Sequence, residues 1–359
     1  MPYAFCRTLR GSTAFLLLVL CVPCFAQDVR IGVLGLFHPR EVVLQAVAGS
    51  AVTISAGGRS FVLEPSSGTN HVSLRLDPDD VAVEIEDAVI RGRSLSVTSR
   101  DHGPAEFSLS VPGKLTRRYR GTLEVRPSSG LLVLIVSMDL ETAVASIVAA
   151  ESNPDTPVEA LKAQAVATRS YLIAAKGRHR GFDFCDTTHC QFLRTPPDAN
   201  TRVARAVAST RGLVLAYNSQ PFAAMYTRSC GGRTRTPREV GLPAGPYPYY
   251  SVECKYCRQH PSAWESRITS QQAACLDASS ESARLDLDRL LGWSAVPSNN
   301  YTVKRMGTRV LLEGVGEGHG IGLCQSGAAA MAKEGANFTQ ILAQYYPNAS
   351  VTNYVRANP

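Results

Sequence analysis

The first residues whose types and spacing suit catalysis lie at a short polar break between two helix-like segments. The stretch spans residues 149–172 and reads AAESNPDTPVEALKAQAVATRSYL. Glu151 stands at the break among small neighbours, so its carboxyl group could face a cleft. Partial desolvation there would raise the carboxyl pKa towards the range of a general acid. The alternative is an ordinary solvated carboxylate at the end of a helix.

Arg169 is the second candidate, a cation well inside the helix that follows the break. It shares a seven-residue spacing with Lys162 and Lys176, so the three side chains could form a solvated basic stripe on one helix face. The functional alternative is a cation that orients Glu151 or holds an anionic group of a substrate. The pattern alone leaves both interpretations open.

Four potential metal ligands fall within the loop sequence HRGFDFCDTTHC. They are His179, Cys185, His189 and Cys190. Two imidazoles and two thiolates suffice for a tetrahedral Cys2His2 zinc site, although the spacing differs from that of a zinc finger. In an exported protein, a Cys185–Cys190 disulfide with two surface histidines explains the same residues.

The N-terminus predicts export. Arg7 and Arg10 precede a short apolar run, and the residues before Gln27 suit signal-peptidase cleavage after Ala26. The run is shorter than the roughly 20 apolar residues of a transmembrane helix. Residues 1–26 are therefore predicted to be a signal peptide. The mature chain is expected in the periplasm, the cell envelope or the extracellular space, without a transmembrane anchor.

Cleavage there leaves an odd number of cysteines, so at least one must be free, metal-bound or paired between chains. Cys254 and Cys257 form a C-x-x-C that lacks the βαβ context of redox motifs, which favours a structural disulfide. One further pair is expected among Cys230, Cys275 and Cys324.

A loop with alternate glycines, GVGEGHGIGLCQSGA, spans residues 314–328. Such glycines let the backbone approach another backbone or a ligand closely, with His319 and Gln325 lining the approach. The G-x-G-x-x-G fingerprint is not met, so no nucleotide is expected. The net charge of +7 is spread along the chain without a long basic run, which argues against nucleic acid as a partner.

The strands and helices that position these groups are predicted from the periodicity of apolar residues along the chain. Short β-prone runs broken by Gly, Pro, Ser and Asp predict a small β-rich domain over residues 27–118. The remainder, residues 119–359, mixes helices with antiparallel hairpins, so the predicted fold class is α+β. Hairpins are expected in YRGTLEVRPSSGLLVLIVSMDLE, LVLAYNSQPFAAMYT and YTVKRMGTRVLLEG.

Two consecutive helices are predicted around the break. The first covers residues 140–150 and has acidic residues in its first turn, which favours the helix dipole. The second begins at Thr156, where Thr156 and Glu159 have capping-box spacing and Pro157 takes the first helical position.

Several blocks of this sequence together resemble one family. They are ESNPDTPVEALKAQAVATRSYL, CDTTHCQ, AMYTRSCGGRT, PYYSVECKYC and GEGHGIGLCQSGAAAMAKEG followed by ILAQYYP. Their order is similar to that of the stage II sporulation protein D family, also called the LytB or amidase-enhancer family. The resemblance covers residues 119–354, and the region before it matches only loosely.

The resemblance implies a peptidoglycan lytic transglycosylase. Such a lyase cleaves the bond between N-acetylmuramic acid and N-acetylglucosamine, leaves a 1,6-anhydromuramic end and prefers glycan stripped of stem peptides. The alternative function is a non-catalytic glycan-binding module that recruits or stimulates a cell-wall amidase. Glycan strands are the expected partner in both cases, with an amidase as a second one.

The family's functional residues carry over onto specific positions. The resemblance implies that Glu151 is the single general acid and base, supported by Arg169 and by Lys255. The implied substrate-binding residues are Gln164, Tyr226, Ser229, His319 and Gln325. It also favours zinc at His179, Cys185, His189 and Cys190, as a structural ion because all four ligands come from the protein. No organic cofactor is expected.

A lone carboxyl group agrees with this chemistry. Hydrolytic glycosidases use two carboxylates. A lyase needs one, because the sugar's own C6 hydroxyl attacks the anomeric carbon and a single Glu can serve first as acid and then as base. The chain departs from the usual PSEMP context of the family with AAESNP around Glu151, which bears on substrate preference.

Overall fold

The computed structural model of the chain describes residues 27–354 except 66–69, 86–87, 277–279 and 293. The predicted signal peptide and its cleavage site therefore lie largely outside the described residues. Within the described ranges, no helix combines the length and the apolar character that crossing a bilayer requires.

The N-terminal third is built from antiparallel strands that alternate buried and exposed residues, as a sheet with one face on the core requires. The strands are β1 (Asp28–Val33), β2 (Glu41–Ala46), β3 (Val52–Ala56), β4 (Arg59–Leu63), β5 (His71–Asp77), β6 (Asp80–Ile85), β7 (Ala88–Gly92), β8 (Leu95–Ser99), β9 (Ala105–Val111), β10 (Leu115–Ser128) and β11 (Leu131–Asp139). They hydrogen-bond in the order β1-β11-β10-β9-β2-β5-β6-β7, while β3 pairs with β4 and β8, and β8 also pairs with β10.

Strand β10 carries the sheet across the predicted domain boundary. Its first half pairs with β9 and its second half pairs with β11. The boundary placed between residues 118 and 119 falls inside this strand, where Tyr119 is fully buried. One hydrophobic core continues from these strands into the first two helices, so the β-rich region and the start of the helical region pack together.

Helices and short strands make up the rest of the described chain. The helices are α1 (Leu140–Glu151), α2 (Val158–Ala174), α3 (Arg202–Ser209), α4 (Lys255–Gln259), α5 (Glu281–Leu291), α6 (Gln325–Lys333) and α7 (Phe338–Tyr345). The strands are β12 (Phe184–Cys185), β13 (Leu213–Tyr217), β14 (Gln220–Pro221), β15 (Tyr226–Thr227), β16 (Ala263–Thr269), β17 (Tyr301–Met306), β18 (Arg309–Val315), β19 (Leu323–Cys324) and β20 (Ser350–Asn353). This mixture confirms the predicted α+β class.

Helix α2 lies at the centre of this second region. Its residues 163–172 are all buried, and it packs against α1, α3, α6 and α7. A helix surrounded in this way is expected to be apolar on every side, which the alanine-rich sequence satisfies. Because α2 begins just after the break at Glu151, the packing of these helices also fixes the position of that break.

The three predicted hairpins are present, but the predicted capping box is wrong. Helix α2 begins at Val158, Pro157 occupies the N-cap, and no side chain caps the helix. The carboxylate of Glu159 accepts a hydrogen bond from the backbone N–H of Phe338 at 2.8 Å and pairs with Lys162 at 2.6 Å. The Glu159 carboxylate therefore binds the start of α7 instead of capping the N-terminus of its own helix.

Candidate active site

A groove lies between the α1–α2 break and the N-terminus of α6. Its lining residues are mostly small or polar: Glu151, Ser152, Asn153, Thr156, Ala160, Gln164, Arg228, Leu323, Gln325, Ser326, Ala328 and Ala329. Among the described residues that line it, Glu151 is the one carboxylate and Arg228 is the one cation. The groove therefore joins the break near α2 to the glycine-rich loop near the C-terminus.

Glu151 is held at the groove by three segments of the chain. It is the last residue of α1, whose N-cap is Asp139; the Asp139 carboxylate accepts hydrogen bonds from the N–H groups of Glu141 and Thr142. The backbone N–H of Phe192 donates to Oε1 of Glu151 at 2.7 Å. The side-chain amide of Gln325 donates to the Glu151 carbonyl oxygen at 3.0 Å.

The pKa of the Glu151 carboxyl group is raised towards neutral pH. Burial raises the pKa of this carboxyl group from the ordinary 4.5 to about 7, although the hydrogen bond from the Phe192 N–H and the nearby Tyr226 hydroxyl act in the opposite direction. A group with a pKa near the operating pH can both give and take a proton. The surface-carboxylate alternative for Glu151 does not fit this environment.

The raised pKa predicts a pH-dependent effect of Glu151→Gln on stability. A raised carboxyl pKa means that the folded state binds the proton more tightly, so the wild type loses stability as the pH rises from 4.5 to 7. The variant lacks this titration. Relative to the wild type, its free energy of unfolding should rise by at most about 3 kcal/mol between pH 4 and pH 8.

Urea unfolding at the two pH values measures the difference. The matched control is Asp155→Asn, which removes an exposed carboxylate from the same break. An advantage of Glu151→Gln that is the same at both pH values would contradict a buried, proton-binding Glu151.

The four predicted metal ligands come together beside this groove. Their ligand atoms all lie within 4.8 Å of one another. His179 Nε2 lies 3.2 Å from Cys190 Sγ, and His189 Nδ1 lies 3.6 Å from Cys190 Sγ and 3.7 Å from Cys185 Sγ. Zinc bonds of about 2.0–2.1 Å to nitrogen and 2.3 Å to sulfur at tetrahedral angles separate the two atoms by roughly 3.6 Å. The donor set and its spacing therefore fit a zinc ion.

The metal-ligand loop is docked on the β-rich region. Strand β12 pairs in parallel with β1, and the Asp183 carboxylate accepts a hydrogen bond from the backbone N–H of Arg30 at 2.9 Å. Asp186 is buried, accepts from the Leu34 N–H at 3.1 Å and forms a 2.9 Å ion pair with Arg117. The loop continues directly into Phe192, so the docking extends to the contact with Glu151.

Comparison with known proteins agrees with the sequence motifs. Residues 128–217 match the family described as Stage II sporulation protein. The match assigns residues 128–217 of the chain to the stage II sporulation protein D family. This confirms the family predicted from the sequence.

Three relatives share about a quarter of their aligned residues with this chain. It is 28% identical over 272 residues to an uncharacterized protein of Brachyspira hyodysenteriae, covering 67% of this chain and 74% of that one. It is 26% identical to the stage II sporulation protein D of Bacillus subtilis, covering 61% and 76%. It is also 26% identical to the amidase enhancer of the same organism, covering 55% of this chain but only 38% of the enhancer.

Arg169 lies in the core instead of the groove. Its guanidinium group is fully buried and forms a two-pronged ion pair with Glu141, with distances of 2.8 and 2.7 Å. Further hydrogen bonds run to the carbonyl oxygens of Leu213 at 3.0 Å, Ala165 at 3.4 Å and Val207 at 3.5 Å. The solvated-stripe interpretation is therefore wrong for this residue.

The predicted substrate-binding residues divide into two groups. Gln164 and Gln325 line the groove. Tyr226 lies behind it, with its hydroxyl group donating to Gln191 at 3.1 Å. Gln164 accepts a hydrogen bond from the Ser152 hydroxyl at 3.0 Å, which ties the break to α2.

Ser229, His319 and Lys255 do not line the groove. The Ser229 hydroxyl is buried beside Cys257 Sγ at 3.5 Å. Burial lowers the pKa of His319, and its Nδ1 accepts from the Ile321 N–H at 3.0 Å, so a neutral imidazole braces the glycine-rich loop. Lys255 is exposed on α4. The predicted substrate-binding roles of Ser229 and His319 are therefore corrected, because both side chains contact other parts of the protein instead of the groove.

Sequence reasoning missed Arg228, Asn153 and Phe192. Arg228 lines the groove and donates to Asn153 Oδ1 at 2.9 Å, and its guanidinium lies 3.4 Å from Glu317. It directly precedes Ser229 within the block AMYTRSCGGRT, so the motif that carried the family resemblance already contained it. Phe192 acts through its backbone N–H, which no pattern of side chains signals.

The alternate glycines behave as predicted. Gly316, Gly318, Gly320 and Gly322 all have φ between 71° and 95°, which favours glycine. A Cβ atom on Gly322 would lie 2.0 Å from the carbonyl oxygen of Met225. The loop can therefore pack its backbone against residues 225–231, and this close approach places Gln325 at the groove.

The six cysteines whose side chains the structure describes form no disulfide. Cys254 and Cys257 do not stand as an isolated pair: Cys230 and Cys324 join them in one buried group. The predicted Cys254–Cys257 disulfide is thus replaced by a four-cysteine cluster, because the C-x-x-C segment packs against two distant segments.

Proposed function

We propose that this protein is an exported lytic transglycosylase that acts on the glycan strands of peptidoglycan. The observation that carries the proposal is Glu151: a partly buried carboxyl group with a raised pKa, alone of its kind among the described residues of the groove lining. The family assignment supplies the substrate class, because the resemblance implies cleavage between N-acetylmuramic acid and N-acetylglucosamine.

A single carboxyl group can complete the reaction. Protonated Glu151 gives its proton to the glycosidic oxygen while the bond from that oxygen to the anomeric carbon breaks. The C6 hydroxyl of the same muramic residue forms the new bond to the anomeric carbon, and the Glu151 carboxylate takes up the hydroxyl proton. No water is consumed, Glu151 returns to its starting state, and the product has a 1,6-anhydro end.

Arg228 gives the groove an anion-binding group. Its side chain is about two-fifths exposed and held by Asn153 and Glu317, so the guanidinium can bind a carboxylate without a large desolvation cost. A muramic residue without a stem peptide carries a free lactyl carboxylate. Pairing with that group would explain a preference for peptide-stripped glycan.

We expect Arg228→Gln to raise KM for peptide-stripped glycan about tenfold with little change in kcat, because the contact is the same in the ground and transition states. Steady-state kinetics on glycan with free and with amidated lactyl groups measures this. The matched control is Arg258→Gln, an exposed arginine outside this groove. Equal losses on the two substrates would contradict the assignment.

Zinc at His179, Cys185, His189 and Cys190 is proposed as a structural ion. When bound, it would link His179 to the segment from Cys185 to Cys190 and so fix the chain that leads into Phe192. The chain's own contribution is the N–H of Phe192, which the loop presents to Glu151.

We expect Cys190→Ser to contain one zinc ion fewer than the wild type and to cleave glycan more slowly, because the loop then holds the Phe192 N–H less firmly. Elemental analysis and glycan cleavage are the measurements. Thr188→Ala is the control, an exposed change in the same loop that leaves the ligands intact. A wild-type chain with a Cys185–Cys190 disulfide and no zinc at this site would contradict the proposal.

The decisive experiment incubates purified protein with peptide-free glycan strands and analyses the chain ends by mass spectrometry. Anhydro ends support the lyase. The second candidate is a non-catalytic module that stimulates a cell-wall amidase, which the name of the amidase enhancer relative favours. Intact glycan binding and amidase stimulation without any cleavage product would replace the lyase with that module.

A further inference from the structure

We infer that Cys230, Cys254, Cys257 and Cys324 bind a second structural zinc ion, separate from the Cys2His2 ligand set. All four side chains are buried, and their sulfur atoms lie within 4.8 Å of one another. They come from three segments: the chain after β15, the start of α4 and the start of α6. Four cysteine thiolates form one of the standard ligand sets of structural zinc.

The spacing of the sulfur atoms suits a central ion. Zinc–sulfur bonds of 2.3 Å at tetrahedral angles separate neighbouring sulfur atoms by roughly 3.8 Å. The sulfur atoms of Cys257 and Cys324 lie 3.4 Å apart, which is much longer than the roughly 2.05 Å of a disulfide bond. Four mutually close sulfur atoms are what one ion requires, whereas two disulfides require only two close pairs.

Hydrogen-bond donors surround the sulfur atoms. The N–H of Gly327 donates to Cys324 Sγ at 3.4 Å. The hydroxyl groups of Tyr345 and Ser229 lie 3.4 Å from Cys254 Sγ and 3.5 Å from Cys257 Sγ. A tetrathiolate zinc centre carries a net charge of −2, and donors of this kind orient and stabilise its thiolates. The buried Ser229 hydroxyl, which does not line the groove, would in this way stabilise the Cys257 thiolate.

A glycine keeps the space around the cluster open. A Cβ atom on Gly327 would lie 2.5 Å from Cys254 Sγ and 2.0 Å from the Tyr345 hydroxyl oxygen. Any larger residue would displace the sulfur atom or its donor. Four protein ligands leave no coordination position for a substrate, so the proposed ion is structural.

The cluster is joined to the groove through its neighbours along the chain. Arg228 precedes Cys230 by two residues, while Gln325 and Ser326 follow Cys324 directly, and all three line the groove. The proposed ion would therefore fix one wall of the groove. The two ligand sets use six of the seven cysteines after residue 26, and Cys275 is the remaining one.

Metal analysis of the full chain tests the inference without reference to activity. The wild type should contain two zinc ions per chain, Cys190→Ser one, Cys257→Ser one, and the double variant none. Replacing zinc with cobalt in Cys190→Ser provides a second readout in which the four-cysteine site is intact. Its absorption should show the strong sulfur-to-cobalt charge transfer of a tetrathiolate, and alkylation after chelation should label all four cysteines.

Three outcomes would overturn the inference. One is a Cys190→Ser protein without zinc and with four unlabelled cysteines, which means two disulfides. Another is iron in place of zinc in the same protein. The third is a Cys257→Ser protein that folds and keeps two zinc ions. None of these outcomes depends on glycan cleavage, so the lyase proposal stands or falls separately.

Discussion

Replacing Glu151 with Gln is expected to lower the rate of anhydro-end formation by about 10²–10⁴-fold, the range that a single general acid or base contributes. The upper part of the range is expected because Glu151 serves in both proton transfers. Mass spectrometry of the ends of peptide-free glycan strands measures the loss against the wild type.

The structure makes this substitution a clean test. The Gln side chain has the same shape, and its carbonyl oxygen can still accept the hydrogen bond from the Phe192 N–H. The contact between Gln325 and the Glu151 backbone is independent of the side chain. The groove should therefore keep its form and still bind glycan, so a binding assay should show no comparable loss.

Asp155→Asn is the matched control because it removes an exposed carboxylate four residues along the same break. Its cleavage rate should equal that of the wild type. If Glu151→Gln and the wild type produce anhydro ends at the same rate, Glu151 is not the acid and the proposed mechanism fails.

Replacing Arg169 with Met is expected to lower the free energy of unfolding by about 3–5 kcal/mol, the usual cost of breaking a buried ion pair by removing one partner. The loss has two physical sources. Glu141, whose side chain is only 15% exposed, is left as an uncompensated charge, and the carbonyl oxygens of Leu213 and Val207 lose a donor. Urea unfolding measures the change.

Two further variants separate a structural from a catalytic Arg169. The double variant Arg169→Met with Glu141→Leu should recover part of the stability, because it removes both charges. Arg205→Met, an exposed arginine on the neighbouring helix α3, should leave stability unchanged. A stable Arg169→Met protein that cleaves no glycan would instead assign Arg169 to the reaction.

Local patterns predicted those parts of the fold that depend on neighbours along the chain. The turn of the β13–β14 hairpin places Asn218 and Ser219 at φ values of 50° and 64°, as a two-residue hairpin turn requires. Helix α1 starts where Asp139 can cap it and ends at Glu151. The sequence therefore predicted the end of α1 and the break at which Glu151 lies.

Partners that are distant in the sequence were not predictable in this way. Glu141 and Arg169 stand 28 positions apart on two helices, and only the packing of α1 on α2 makes them an ion pair. Cys324 lies 67 positions from Cys257, so spacing revealed the C-x-x-C but not the cluster. The local pattern assigned Arg169 to solvent and paired Cys257 with Cys254. In the fold, both side chains have partners from distant parts of the sequence.

The position of β1 between β11 and β12 has a consequence for how the chain reaches its native state. The strand is synthesised well before either of its partners: Asp28 pairs with Asp139 of β11, and Asp183 beside β12 follows its partner Arg30 by 153 positions. Closing so long a loop carries a large entropic cost, and folds dominated by such pairings form slowly. One edge of β1 therefore stays unpaired until β11 has been made and the other until β12 has been made, and during this interval the nascent chain most needs protection from aggregation.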